Sequence, residues 1–430
     1  MASTAVNNNR NIRKSVFAGS IGNVVEWFDY SIYAYFATYI AANVFMTDDS
    51  LSSLLQTFAT FAVGFLMRPI GALVIGRYGD KVGRRKALSL TIIIMSLGTF
   101  LMGIIPSHEI IGIWAPILLV IARLSQGFSA GGEYGAAASY IVESANKHLR
   151  GFWGSFQEVS VTVGTLSGAM FFVLLTTFMP VPMLEEWGWR IPFFVSGILG
   201  VAGLYIRKKA NESPEFEDAK KSEDTCNGNV FSLFSKYRKQ MLTGIGFTIF
   251  WTVSYYGLLT FIPTYLTGVL GLPDKVSLIA KIIAPMIILI FVPIFGFVSD
   301  RVGRKPLLLA SSISLGILIY PLFLMIATGK SVLIVIAMII YALLIALYSG
   351  PGVATVVEIF PVKVRHSTLS FSYNVAVACF GGTAPFISTY LIQVTNMQIA
   401  PAFYVIFSTI ITTIVLFNMK IGEPAGDEQQ

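Results

Sequence analysis

The sequence predicts an all-α membrane protein with twelve transmembrane helices in two six-helix bundles, and three observations support this prediction. Of the 430 residues, 55% are hydrophobic and only 12% are charged, which is about half the charge of an ordinary soluble domain. Twelve apolar stretches are long enough to cross a bilayer, since a spanning helix needs roughly 20 residues. A loop motif occurs twice, 220 residues apart, which indicates a duplicated chain.

Each predicted helix corresponds to one apolar stretch between polar loops. Backbone polar groups find no water in the hydrocarbon layer, and a helix satisfies them within the segment. We expect Gly350, Pro351 and Gly352 to interrupt the tenth helix, because such residues let a spanning helix bend. The predicted spans are 16–45, 52–78, 87–105, 110–138, 152–179, 190–206, 241–268, 276–298, 307–328, 331–356, 367–394 and 400–419.

Lysine and arginine positions predict the orientation, because cytoplasmic loops retain these residues. With both termini inside, cytoplasmic segments hold 24 of the 30 Lys and Arg residues. The net charge of +7 therefore reflects topology, and we expect no nucleic-acid partner. The predicted domains are an N-terminal six-helix bundle (1–206), a cytoplasmic linker (207–240) and a C-terminal six-helix bundle (241–430).

The repeated loop has a physical interpretation as a cytoplasmic gate. Gly76 and Gly83 permit a close helix approach and a tight turn, while Asp80 can accept hydrogen bonds from helix N-terminal amides or from an arginine. The enrichment of Lys and Arg in cytoplasmic loops explains the basic residues of this loop. It does not explain the aspartate among them. A glutamate–arginine pair with seven-residue spacing also recurs 215 residues later. The predicted gate residues are Gly76, Asp80, Gly83, Arg84, Asp300, Gly303, Arg304, Glu143, Arg150, Glu358 and Arg365.

These loops resemble the signature of the major facilitator superfamily. Four further segments resemble its metabolite:proton symporter family, which includes bacterial carriers for ketoglutarate, citrate, shikimate, and proline or betaine: Gly22–Tyr30, Phe65–Gly71, Gln126–Tyr134 and Glu186–Pro192. The resemblance implies the major facilitator fold around a central cavity. It also implies a proton-driven importer of a small polar metabolite in the inner membrane.

Charged residues inside the spans are the candidate functional groups, because each costs roughly 3 kcal/mol or more there and tends to serve function. Glu26 and Asp29 lie on one polar stripe of the first helix, and we interpret them, with Glu133, as proton-coupling residues. The alternative for the first two is a structural pairing with Arg68. We expect Arg68 and Glu158 to take part in intramembrane ion pairing.

Arg123 is the predicted anchor for an anionic substrate group, because a guanidinium binds a carboxylate through two parallel hydrogen bonds. On a helical wheel, Arg123, Gln126 and Glu133 fall within about 80 degrees of one another. A fixed ion pair with a buried carboxylate is the alternative role for Arg123. The predicted substrate-binding residues are Arg123, Gln126, Gln157, Tyr255, Tyr256, Tyr373 and Asn374, although the tyrosines and amides could equally bond neighbouring helices.

The substrate prediction is a small organic acid such as ketoglutarate, with proline or glycine betaine as the alternative, since one arginine suits either. A sensor of the same fold is a remote alternative. An enzyme is not expected, because His108, His148 and His366 have no metal-ligand or catalytic spacing. We expect no cofactor and no metal. The expected partners are the substrate, protons and the lipid bilayer, and a monomer suffices for the fold.

Overall fold

The computed structural model describes residues 2–45, 50–209, 212–213, 216–218 and 235–419. Residues 219–234 of the predicted linker lie outside the described residues. Within the described part, long helices are numbered here in chain order: α1 (Ala2–Tyr35), α2 (Ser50–Val82), α3 (Arg84–Ile104), α4 (Trp114–Ser144), α5 (Arg150–Phe178), α6 (Ile191–Lys209), α7 (Arg238–Tyr256), α8 (Asp274–Val302), α9 (Arg304–Ala327), α10 (Ser331–Glu358), α11 (Arg365–Ala376) and α12 (Pro401–Asn418).

Shorter helical pieces complete or connect these elements. The helix α7 continues through a wide π-helical turn and a short helix, and α11 does the same. These and the remaining short helices are Ala37–Val44, His108–Ile111, Lys147–Leu149, Val181–Glu186, Gly188–Arg190, Gly257–Phe261, Ile262–Gly268, Val377–Gly381 and Ala384–Thr395.

The structure confirms the predicted all-α membrane fold. Nine helical segments of the described chain are apolar and long enough to cross a membrane. The other three long helices, α1, α2 and α4, have 34, 33 and 31 residues. These three carry the predicted intramembrane charges Glu26, Asp29, Arg68, Arg123 and Glu133.

Two predictions about helix continuity were wrong. The first span is not continuous, because Phe36 leaves the helical conformation (φ −94°, ψ 13°) and a separate helix, Ala37–Val44, follows. The tenth span is not interrupted, since α10 runs through Pro351 to Glu358. Proline removes only one helical hydrogen bond, and the glycines beside it allow neighbouring groups to approach closely, with Trp251 against Gly352.

The contacts divide the chain into two compact units. Unit 1 comprises Met1–Ser144, Ser160–Asn227 and Val362–Phe371, and unit 2 comprises Ala145–Val159, Gly228–Pro361 and Ser372–Gln430. Each unit therefore includes a short segment from the other half of the sequence. These segments are the beginning of α5 in unit 2 and the beginning of α11 in unit 1.

Small residues set the helix packing in unit 1. A Cβ on Gly127 of α4 would overlap the backbone carbonyl of Gly64 on α2, and a Cβ on Gly131 would overlap the carbonyl of Arg68. Glycine at these positions therefore lets α2 and α4 approach backbone to backbone, as membrane helices often do. This approach places Arg68, on α2, beside the polar face of α4.

In unit 2, a glycine allows the same close backbone approach between α8 and α10. The Cβ of a residue replacing Gly350 would lie 2.6 Å from the backbone nitrogen of Gly296. Close packing of the second and fourth helices of each half is therefore repeated, which agrees with the duplication seen in the sequence.

Candidate functional site

Glu26 on α1 and Arg68 on α2 form a buried ion pair in unit 1. The Glu26 Oε1 and Arg68 Nη2 atoms are 3.0 Å apart, and both side chains are at most 5% exposed. The guanidinium also lies 4.9 Å from the ring centroid of Tyr30 and 4.8 Å from that of Phe65. The structural pairing of Glu26 considered from the sequence is thus present.

Asp29 lies one turn further along α1, in a different environment. Its two carboxylate oxygens are bonded to the hydroxyl groups of Thr99 on α3 and Ser196 on α6. Thr99 also accepts a hydrogen bond from the Gln126 side-chain amide. Sequence reasoning missed Thr99 and Ser196, because a single hydroxyl in an apolar span gives no distinctive signal.

Arg123 on α4 is buried, with 1% of its surface exposed. Its Nη1 donates to Gln126 Oε1 at 2.6 Å, and its guanidinium lies 4.1 Å from the ring centroid of Tyr33 and 5.2 Å from that of Tyr30. Because Gln126 also bonds to Thr99, a continuous polar chain joins Arg123 to Asp29.

Glu133, about two turns beyond Gln126 on α4, pairs with Arg207 of α6. Thr91 also donates a hydrogen bond to its carboxylate, while Arg207 donates to the carbonyls of Leu88 and Ala18. A Cβ on Gly22 of α1 would overlap this pair. The pair is therefore enclosed by four helices.

Sequence reasoning placed Arg207 in the cytoplasmic linker because Lys208 and Lys209 follow it. A signal for its burial was present, however. Ser196, Gly200, Gly203 and Arg207 are spaced by four, three and four residues, and all four face the interior. Helical periodicity would have assigned Arg207 to the same buried face.

The three predicted proton-coupling carboxylates differ in the chemistry of their partners. A guanidinium is always positively charged, so the contacts of Glu26 with Arg68 and Glu133 with Arg207 favour ionised carboxylates. A hydroxyl can donate or accept. The hydroxyl partners of Asp29 therefore suit both its ionised and its protonated form.

The remaining predicted binding residues belong to unit 2. Gln157, Glu158, Tyr255 and Asn374 are buried, and Tyr256 and Tyr373 are half-buried. The helices that carry the last four pack together, since a Cβ on Gly381 would overlap the Thr252 hydroxyl. Within the described residues, no group of three His, Cys, Asp or Glu side chains could hold a metal ion.

The first copy of the loop motif contacts the start of α11. Asp80 accepts hydrogen bonds from the backbone amides of His366 (3.1 Å) and Ser367 (2.9 Å). These amides belong to the first turn of a helix, where backbone donors lack helical partners and favour a carboxylate. The helices approach closely here, because a Cβ on Gly76 would lie 2.8 Å from the Ser367 Cα atom.

Glu143 lies at the centre of the charged cluster beside this contact. Arg84 Nη2 and Arg365 Nη1 lie 3.4 and 3.0 Å from its Oε1 atom. Burial alone would raise the pKa of the Glu143 carboxyl, but Arg84 and Arg365 hold the pKa below its ordinary value. Gly83, with a φ of 112°, makes the turn from α2 to α3 that a glycine favours.

The second copy repeats this arrangement within unit 2. Asp300 accepts from the amides of Gly151 (2.8 Å) and Phe152 (2.9 Å), in the first turn of α5. Glu358 binds Arg304, and Arg150 Nη1 lies 3.4 Å from Glu358 Oε1. Gly303 has a positive φ of 96°, as its counterpart Gly83 has one of 112°.

Residues near the start of the predicted linker contact the charged cluster at the first copy of the loop motif. Glu212 accepts a hydrogen bond from the Arg85 amide at 3.1 Å, and Ser213 donates to Glu143. Phe216 covers the Arg84 guanidinium at 4.8 Å. Burial raises the pKa of the Glu212 carboxyl. Part of the linker is thus an integral component of the predicted gate cluster.

Comparison with known proteins gives three findings. The model of the Major Facilitator Superfamily matches residues 19–384. The chain is 37% identical over 419 residues to the proline/betaine transporter of Escherichia coli (strain K12), covering 95% of this chain and 83% of that protein. It is 36% identical over 419 residues, with the same coverage, to the glycine betaine/proline/ectoine/pipecolic acid transporter OusA of Dickeya dadantii (strain 3937).

Solved structures agree on the fold. The proton:xylose symporter XylE, bound to 6-bromo-6-deoxy-D-glucose, matches with a TM-score of 0.82 and 17% identity, covering 97% of this chain and 98% of that one. At this identity the likeness concerns the fold alone.

Proposed function

The chain belongs to the major facilitator superfamily of membrane transporters, and on that premise we propose that it is a proton-coupled symporter for proline, glycine betaine or a closely similar zwitterion. The observation that carries this proposal is the 37% identity, over 95% of the chain, to a proline/betaine transporter. The organic-acid substrate predicted from the sequence becomes the second candidate, because the relatives reported above are not organic-acid carriers by name.

The charges in unit 1 support a substrate with a single carboxylate. Arg68 and Arg207 are each held in an ion pair with a glutamate, so neither is available as a second cation for a di- or tricarboxylate. Arg123 would bind the one carboxylate. The rings of Tyr30 and Tyr33 beside it suit a substrate that also carries an ammonium group, since aromatic faces attract such cations.

A competition experiment in proteoliposomes tests the substrate. Radiolabelled proline uptake should be inhibited by excess unlabelled glycine betaine and unaffected by ketoglutarate or citrate. In Arg123→Gln the KM for proline should rise about 10- to 100-fold, the effect of losing hydrogen bonds to a charged group, whereas Arg190→Gln serves as the matched control. Uptake of labelled ketoglutarate but not proline would overturn this substrate and support the organic-acid candidate.

Asp29 is our candidate for the proton carrier. Its bonds to Thr99 and Ser196 suit both protonation states, whereas Glu26 and Glu133 are each bonded to an arginine that favours the ionised form. A carboxylate that gains and loses a proton during transport needs partners that tolerate both forms. Glu26 and Glu133 are then assigned a supporting role as fixed ion pairs.

The variant Asp29→Asn tests this assignment. We expect proton-driven accumulation to be lost, while exchange of internal for external substrate, which needs no net proton movement, is retained. Ser196→Ala, which removes one neighbour but keeps the carboxylate, should still accumulate substrate. Accumulation by Asp29→Asn with unchanged pH dependence would show that another group carries the proton.

The contacts around Asp80 and Asp300 are the proposed gates of the transporter. We assign both termini to the cytoplasm of a bacterial inner membrane on the basis of the lysine and arginine distribution. The Asp80 and Asp300 contacts then lie at the cytoplasmic end of the helices, and we propose that they form when the transporter is closed on that side. Labelling of an engineered cysteine at position 430 in intact and permeabilised cells tests the orientation.

A further inference from the structure

An amphipathic groove lies on the surface of unit 1, outside the proposed transport site. It has a volume of about 330 Å³ and is formed mainly by α3 and α6. Its polar wall consists of Arg85, Lys86 and Lys208, and its apolar wall includes Ile93 and Leu204. Among the residues that the structure describes, none that lines the groove is acidic.

Two of the three cations that line this groove, Lys86 and Lys208, are accessible to an external anion. Lys86 and Lys208 are exposed, and among the residues that the structure describes neither has an ion-pair partner. The neighbouring Lys209 differs, because it contacts the ring and hydroxyl of Tyr205. The nearby carboxylate of Glu212 is occupied by the backbone amides of Arg85 and Ser213.

Further along α3 and α6 from the cations, exposed apolar side chains form a strip on the surface of the two helices. Ile93 and Leu97 on α3 are 45% and 55% exposed, and Val201 on α6 is 69% exposed. The helices pack tightly at this level, since Ser96 fills the space beside Gly200. A cationic end above an apolar strip has the polarity of a phospholipid, with the phosphate at the cations and the acyl chains on the strip.

We propose that this groove binds an anionic phospholipid of the cytoplasmic leaflet. Each cation near the surface of an anionic membrane attracts such lipids, and basic pockets between helices on the cytoplasmic side are suited to their headgroups. A uniformly basic cytoplasmic face would explain the charges but not their position above a groove with an apolar wall. The proposal does not depend on the identity of the transported substrate.

Native mass spectrometry of the detergent-purified full chain tests the proposal. With equal amounts of phosphatidylglycerol and phosphatidylcholine, the wild type should retain phosphatidylglycerol preferentially. In K86Q/K208Q its apparent affinity should fall about 30-fold, the effect of removing two cations near a membrane surface. The matched control R13Q/K14Q removes two exposed cations from α1, and we expect it to retain the lipid.

Three outcomes would overturn the proposal. An equal loss in R13Q/K14Q would mean that the lipid binds the basic face without a defined site. Equal retention of phosphatidylcholine would mean that charge does not select the lipid. Competition by inorganic phosphate at the same concentration would identify a small-anion site in place of a lipid site. Thermal unfolding of each variant verifies that a loss of binding does not reflect misfolding.

Discussion

At the residue scale, the enclosed pair of Glu133 and Arg207 gives a direct test of how the buried charges are held. Either E133Q or R207Q leaves one charge buried without its partner, which costs about 3–5 kcal/mol of unfolding free energy. The double variant E133Q/R207Q should be less destabilised than either single variant, since no charge remains unpaired. Thermal unfolding in detergent measures the three values.

The control for this comparison is the exposed Glu109. E109Q should change the unfolding free energy by less than about 0.5 kcal/mol, as expected for surface substitutions. If the double variant were as unstable as the sum of the two single variants, the residues would contribute independently and the ion pair would not explain their burial.

The sequence revealed the charged residues of the site but only some of their partners. Arg68 was identified as a partner for the first-span carboxylates because it is a rare charge within a span. Arg207 was missed because its position beside Lys208 and Lys209 resembles a helix end. Thr99 and Ser196 could not have been selected, since hydroxyls are common in spans and their role depends on which helix faces α1.

At the element scale, the approach of α2 to α4 depends on single glycines. Gly127→Ala would place a Cβ against the Gly64 carbonyl, and neither backbone can yield easily. We expect a loss of about 1–3 kcal/mol, the range for overpacked sites. Gly268→Ala is the control, because nothing lies within 4 Å of its Cβ position. Comparable melting temperatures for the two variants would contradict this account.

Helix existence and order followed from hydropathy, whereas helix interruptions did not. Gly350, Pro351 and Gly352 suggested a break in α10 that is absent, and the break at Phe36 had no glycine or proline to mark it. The π-helical turns Gly257–Phe261 and Val377–Gly381 were also unpredicted. These features depend on packing against neighbouring helices, which local composition does not encode.

At the scale of the whole molecule, we expect substitution of the aspartate in either copy of the loop motif to have an equivalent local effect. Asp80→Asn and Asp300→Asn each weaken a carboxylate contact to the first turn of a helix, a contribution of about 0.5–2 kcal/mol. We expect faster hydrogen exchange at the amides of His366 and Ser367 in the first variant. In the second, the amides of Gly151 and Phe152 should exchange faster. Glu109→Gln should alter neither pair, and a change spread evenly over all helices would contradict a local contact.

The duplication was evident from the sequence, and the two predicted bundles joined by a linker at residues 207–240 stay a prediction. The contacts assign residues 145–159 to unit 2 and residues 362–371 to unit 1. The repeated spacing of Glu143, Arg150, Glu358 and Arg365 marked these segments, although spacing alone does not show which glutamate meets which arginine.

The charge pairs are crossed between the repeats, since Glu143 pairs with Arg365 and Glu358 pairs with Arg150. A protein consisting of one repeat would carry both a glutamate and an arginine whose partners stand on a second copy. Two such copies could satisfy each other through one self-complementary contact, as symmetric dimers do. The present chain is therefore compatible with descent from a six-helix ancestor that worked as a homodimer before gene fusion.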